Sequence, residues 1–252
     1  MRFASLGSGS RGNATLVEHA GTCVLLDCGF SVRETERRLA RLGRSGERLS
    51  AIVVTHEHGD HINGVGALAR KYDLTVWATA GTQAVDRLGK VADVRCFSSH
   101  QAFALGDLLV QPFPVPHDAR EPCQFVFGDG QRRLGILTDV GSATPHIAAQ
   151  LDGCDALMLE CNHEKTLLDN GNYPPSLKRR VGGAHGHLSN AQAEDLLRRL
   201  ETGRLKQIVA AHLSEKHNTP ELARAALAAA LGCASDWVAV ADQDAGLDWR
   251  EV

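Results

Sequence analysis

The segment THEHGDH, residues 55–61, sets three histidines and an aspartate directly after the apolar run AIVV. A short continuous apolar run bounded by polar residues reads as a buried strand, so these side chains stand at a strand end. Neutral imidazole and carboxylate are the natural ligands of Zn²⁺ and similar borderline metals. A merely solvated, histidine-rich loop is the plainer alternative, but three of the chain's 12 histidines fall within six residues. In an extended or looping segment His56 and His58 point the same way, while Asp60 and His61 can turn toward a second position. Four ligands divided over two positions leave each metal unfinished, and the rest of the chain must complete them.

Those partners are expected where other apolar strands end, because binding groups collect at the carboxyl ends of strands in α/β sheets. His117 follows FPVP, Asp139 ends GILTD and His212 ends QIVAAH. The pattern around them is mixed α/β. SVRETERRLARLG opens on Ser31 with Glu34 three residues later, a capping box, and stops at Gly43, which predicts a helix; the charges of its RRLARLGR portion are expected to face solvent. Helical patterns in GVGALARKY, GTQAVDRLG, SATPHIAAQL, NAQAEDLLRRLE and PELARAALAAALG alternate with strand-like runs such as LTVWAT, LLVQPFPV, CQFVFG, DALMLEC and WVAVA. No linker or short repeat divides the chain, so residues 1–252 are expected to form one domain. Residues 162–189 lack strong periodicity and carry Pro, Gly and a basic cluster; a loop-like segment this long is either functional or disordered, and it is expected to be an active-site lid or substrate segment.

A second motif competes for attention. Gly7-Ser8-Gly9-Ser10-Arg11-Gly12 spells the dinucleotide fingerprint G-x-G-x-x-G, which needs a helix after it. Here NATLVEH and TCVLLDC follow, two Val-, Leu- and Thr-rich runs separated by Ala-Gly. They read as a β-hairpin, and the nucleotide-cofactor reading fails. The glycines instead permit a tight turn, with Ser8, Ser10 and Asn13 placed to face the metal site and contact a substrate phosphate.

Bulk properties narrow the choices. A net charge of −3 gives no global attraction to nucleic acid or anionic membrane, so any such binding must be local. No apolar run approaches a membrane span, and no leader pattern opens the chain. The seven cysteines form no CxxC pair and read as reduced thiols of a cytoplasmic protein, none assigned to metal. His19, His100, His146 and His217 have no ligand context and are expected at the surface.

His56-x-His58-x-Asp60-His61, with Asp27 upstream and His117, Asp139 and His212 following in that order, resembles the metallo-β-lactamase superfamily. The resemblance implies an αββα sandwich in a single domain. It implies His56, His58 and His117 on one metal, Asp60, His61 and His212 on a second, Asp139 bridging, and Asp27 buttressing the HxHxDH loop. The phrases GSGSRGNATLVE, LLDCGFS, TDVG, LECNH, YPPSLKRRVGGAHGHLSN and AAHLSEKHNTPELA are similar to YycJ/WalJ-type proteins. That likeness implies a two-metal phosphodiesterase, with 5′→3′ exonuclease activity on DNA and a zinc or manganese pair, mixed metals or iron included. Such a pair would lower the pKa of a bridging water and clamp an in-line phosphoryl displacement, with Asp60 and Asp139 orienting the nucleophile.

His187 in HGHLSN is the candidate for contacting the scissile phosphate or protonating the leaving oxygen. Lys178, Arg179 and Arg180, with Ser189 and Asn190, are candidates for holding the phosphate backbone. Three alternatives stay open: a cyclic phosphodiesterase, a glyoxalase II-type thioester or lactone hydrolase, and a non-enzymatic metal-binding partner protein. The sequence leaves the oligomeric state open, a dimer included.

Overall fold

The computed structural model describes all 252 residues. Six strands open the chain: β1 (Arg2–Gly7), β2 (Ala14–His19), β3 (Thr22–Leu26), β4 (Ala51–Val53), β5 (Thr75–Ala78) and β6 (Val94–Cys96). The next seven are β7 (Phe103–Leu105), β8 (Leu108–Pro114), β9 (Cys123–Gly128), β10 (Arg133–Leu137), β11 (Ala156–Glu160), β12 (Gln207–Ala211) and β13 (Ala239–Val240). The last, β14 (Leu247–Glu251), returns to pair with β1. They form two seven-stranded sheets, ordered β14-β1-β2-β3-β4-β5-β6 and β13-β12-β11-β10-β9-β8-β7.

Alternation along the strands shows why both sheets are covered on both faces. In β3, Val24 and Leu26 enter the core between the sheets, whereas Cys23 and Leu25 enter a second core under helices α1 (Val32–Arg41) and α3 (Val65–Tyr72). In β11, Ala156 and Met158 face the inter-sheet core. Leu157 and Leu159 face a third core shared with α5 (Pro145–Leu151), α8 (Asn190–Arg198) and α9 (Pro220–Leu231). Strands buried on both faces read as continuous apolar runs, which is how they appear in the sequence. The result is the αββα sandwich in one domain. Short helices α2 (Gly59–Ile62) and α4 (Ala80–Gln83) follow β4 and β5. No helix is long and apolar enough to cross a membrane.

Several expectations are corrected. Residues 162–189 are not a structureless loop, for they hold α6 (Lys165–Asn170) and α7 (Pro175–Val181). Proline at the first turn starts α7 despite the weak periodicity. The pattern GTQAVDRLG yields only the four residues of α4. β14 was not expected, because LDWRE buries only Leu247 at a sheet edge and carries no apolar signal. Arg38 is not a solvent-facing charge: it is 5% exposed and donates from Nη1 to the Leu6 and Gln243 carbonyls at 2.7 and 2.8 Å. His217 is buried, against Tyr173.

Candidate metal centre

One edge of the sandwich collects every candidate ligand. β3 and β4 run parallel, as do β10, β11 and β12. β8 is antiparallel to β9, itself antiparallel to β10, so β8 runs with β10. Asp27 and His56 therefore leave carboxyl ends on one side of the first sheet, and His117, Asp139 and His212 on one side of the second; the contacts between the two sets put both sides at a single edge. Three of them do so with left-handed backbone: Asp27 at φ 61°, Asp139 at 52° and His212 at 55°. Such conformations cost about 1–2 kcal/mol each for ordinary residues, and they persist where the surroundings over-determine them. The HxHxDH loop is fixed by its backbone, with Asn13 N donating to Asp60 O at 2.7 Å and Cys28 N to His61 O at 2.8 Å. A Cβ at Gly29 would collide with the Asp60 carbonyl, so glycine there lets the hairpin press against the loop.

Donor atoms converge in three groups, one of which joins Asp139 and His212 to Glu160 and His187; the other two draw on the HxHxDH loop. His56, His58 and His117 converge in one, and His58 Nδ1 lies 3.2 Å from His117 Nε2. Asp60, His61, Asp139 and His212 form the other. Asp139 stands between them: its Oδ2 is 3.1 Å from His61 Nε2, and its Oδ1 is 3.6 Å from His212 Nε2 and 3.9 Å from His117 Nε2. The far ring nitrogens are held from behind. His61 Nδ1 pairs with Asp27 Oδ2 at 2.8 Å, His56 Nδ1 with Thr55 Oγ1 at 2.9 Å, and His117 Nδ1 with the Gly186 carbonyl at 3.0 Å. Asp27 also accepts from Thr55 N and Thr55 Oγ1, both at 2.8 Å. Outer partners of this kind set tautomer and ring orientation in metal sites.

The inward-facing atoms fit divalent cations. His56 Nε2, His212 Nε2 and Asp139 Oδ2 are buried without a hydrogen-bond partner, which a folded protein does not tolerate cheaply. Burial, with the neighbouring imidazoles, pushes His56 well below its ordinary range and keeps it neutral for ligation. Burial disfavours the charged form of His212 too, but Asp139, Asp60 and Glu160 outweigh it and raise the ring to about 10. Burial likewise works against ionised Asp139, yet His212 and His61 hold its carboxyl well below the carboxylate range. A divalent ion seated among them would give the orphaned atoms a partner and supply positive charge beside the buried carboxylates. The fold and these clusters define a site for divalent metals.

Sequence reasoning missed Glu160. This fully buried carboxylate accepts from the Asp139, Val140 and Leu188 amides at 3.0–3.1 Å. Its Oε1 also holds His187 Nδ1 at 2.8 Å and His212 Nδ1 at 3.0 Å. The signal was present, since Glu160 ends the apolar run DALMLE as Asp139 ends GILTD. Burial opposes the charge on His187, but Glu160 and Asp139 prevail and raise its pKa.

A cleft of about 290 Å³ lies over the clusters, lined by Ser10, Asp60, His187 and Arg180 among others. Arg180 Nε donates to Asp118 Oδ2 at 2.6 Å across its mouth. The remaining expected phosphate contacts are placed differently. Ser8 is buried and its Oγ accepts from His212 N at 2.9 Å; Asn13 is buried and its Oδ1 accepts from Gly9 N at 2.8 Å. Ser8 braces the site from inside the protein, while the Asn13 amide also reaches the donor atoms themselves, with Nδ2 3.3 Å from Asp60 Oδ2 and 3.1 Å from His61 Nε2. Asn190 is buried in a reciprocal pair with Asn218, both contacts 2.9 Å. Lys178, Arg179 and Ser189 line a different cavity.

The fold and the paired clusters define the class, a metallo-β-lactamase-type metalloprotein. The β-lactamase superfamily domain matches residues 22–212. The chain is 34% identical to an exodeoxyribonuclease WalJ of Streptococcus pneumoniae, covering 99% of this chain and 92% of that one. It is 38% identical to an exodeoxyribonuclease YycJ of Bacillus anthracis, covering 89% and 86%. In fold it is similar to the metallo-β-lactamase fold protein YhfI of Bacillus subtilis, with a TM-score of 0.76 at 16% identity and 99% of each chain covered. The chain belongs to the metallo-β-lactamase superfamily and, within it, to the family of WalJ and YycJ.

Proposed function

We propose that this protein is a metal-dependent hydrolase of phosphodiester bonds, a DNA exonuclease working 5′→3′. The observation that carries the reading is the convergence of two incomplete ligand clusters on Asp139, with His187 braced on Glu160 beside them. The two exodeoxyribonuclease relatives support the substrate class. His56, His58 and His117 would hold one cation, Asp60, His61 and His212 the other, and Asp139 both. Zinc or manganese suits these donors. When bound, such a pair activates water at neutral pH and stabilises charge on a phosphoryl group.

The chain's own residues supply the rest. Asp60 and Asp139 orient the attacking group. Glu160 anchors His187 Nδ1, and this leaves Nε2 as the nitrogen turned to substrate. With its pKa raised, His187 carries the proton that the leaving oxygen needs. Arg180 exchanges Asp118 for a substrate phosphate, a trade of one bidentate-capable anion for another. Residues 162–189 act as the lid that carries Arg180 and His187. Seven unpaired thiols support a reducing, cytoplasmic location.

End-labelled duplex DNA incubated with the metal-loaded protein tests the reading. Release of labelled mononucleotide from the 5′ end is expected. Intact DNA alongside rapid thioester hydrolysis would overturn it.

A further inference from the structure

Helix α7 separates two cavities. Leu177, Arg180 and Val181 line the cleft over the metal clusters. Lys178, Arg179 and Gly182 line a second cavity of about 550 Å³. This division follows the helical repeat, where residues three and four apart share a face.

The second cavity is rich in donors. It sets Lys165, Lys178 and Arg179 against one carboxylate, Asp169. Asp169 pairs with Lys165 at 2.7 Å, whereas Lys178 Nζ reaches only the Asp169 carbonyl, at 2.6 Å. Arg179 is exposed and takes part in none of the protein's ion pairs. The first turn of α8 opens onto the same space through Ser189, Ala191 and Gln192, and a helix N-terminus favours anions. The Gln192 oxygen already accepts from Ser189 N and Ser189 Oγ at 2.9 Å. That arrangement leaves its amide NH₂ without a protein partner.

His163 points to a ligand independently. Its side chain is 3% exposed, and its Nδ1 is buried without a hydrogen-bond partner. Its Nε2 is turned toward Gly182, 3.8 Å from where a Cβ would stand, and both residues line the cavity. No hydrogen bond of the protein engages Nε2 either, and with the ring proton on this nitrogen His163 can donate into the cationic hollow to an acceptor from outside the chain.

We infer that this cavity binds phosphate, as a second anion site separated from the metal clusters by α7. The donor set alone argues for phosphate. Its source, a mononucleotide or a backbone phosphate of a DNA strand, rests on the nuclease reading above. An occupied cavity would tie α7 to α8, and so fix Arg180 over the cleft on the opposite face.

Equilibrium dialysis with radiolabelled dAMP tests the site, on metal-loaded protein and again after chelation, with circular dichroism to verify the fold. Binding at the clusters depends on metal, so the second site should still take one dAMP per chain after chelation. Arg179→Glu and, separately, Lys165→Glu, both on exposed side chains, should weaken that binding by about tenfold or more, as expected for losing a charge-assisted contact. No binding after chelation, or binding indifferent to both variants, would overturn the proposal. A phosphorothioate oligodeoxynucleotide that displaces the retained dAMP identifies a DNA strand as the source; failure to displace it identifies the free nucleotide. Inactivity on DNA with this binding intact would sink the nuclease reading and leave the cavity standing.

Discussion

The two walls of the cleft are built on different principles. The HxHxDH loop is part of the core: His56 and His61 are at most 1% exposed, and its backbone is bonded to the hairpin behind it. The wall opposite, α7, buries no residue at all. Its side chains hold it by the Arg180–Asp118 pair and a lysine on a carbonyl, beside one backbone bond from His187 N to Val181 O at 2.8 Å. One wall inherits its geometry from packing and should survive single surface changes. The other depends on contacts that water and salt can replace, which suits a segment that must admit a polymer.

That contrast can be broken by mutation, beginning where the effect should be largest. Asp139→Ala removes the carboxylate proposed to serve both clusters; bound metal should fall below two ions per chain and turnover by about a thousandfold or more. Full metal content by elemental analysis would count against Asp139 as the shared ligand. His187→Ala should lower turnover by about 10²–10⁴-fold while metal content stays unchanged, as for loss of an acid catalyst. Turnover equal to wild type would remove His187 from the chemistry.

Glu160→Gln keeps the shape but removes the charge behind His187 and His212. A loss of about 10–100-fold in metal affinity or activity is expected, measured by competition with a chromophoric chelator. Arg180→Ala on the outer wall should change the folding free energy by no more than about 1 kcal/mol while raising KM for DNA. A melting temperature lowered by more than about 4 °C with KM unchanged would mean that α7 is structural after all.

A pH series probes the floor under α7. Burial depresses His163 to about 4, below the value near 6.5 usual for histidine in an unfolded chain. The unfolded state therefore takes up this proton first. Stability from this group is intact above pH 6.5 and declines as pH falls toward 4, by at most about 3 kcal/mol. His163→Gln should flatten that part of the curve; a slope equal to wild type would refute the assignment.

How far the sequence could be read depended on what confined each residue. Strands buried on two faces announce themselves, and a ligand-type side chain at the end of such a strand stands out, as His117, Asp139 and His212 did. Glu160 obeyed the same rule but sat inside a phrase dominated by its neighbours. Helix α7 was illegible because no apolar face defines it; a proline start and solvent do. The same cause hid the separation of Lys178 and Arg179 from Arg180, since three adjacent cations look like one patch until a helix turns them apart. β14 escaped because pairing with β1, not its own composition, makes it a strand. Ser8 is expected to face substrate but acts from behind, on the His212 amide, whereas Asn13 does face the cluster, its Nδ2 lying 3.1 Å from His61 Nε2 and 3.3 Å from Asp60 Oδ2.

The left-handed backbone at Asp27, Asp139 and His212 carries a message about descent. At these three positions the fold would be easier to satisfy with glycine or asparagine, which enter that conformation readily. Glycine would forfeit the contacts that the Asp27 and Asp139 carboxylates and the His212 imidazole make here. In a lineage released from metal binding, these positions should drift to glycine or asparagine before the surrounding core changes. A related chain that keeps the sandwich but shows glycine at all three would be marked as a retired enzyme.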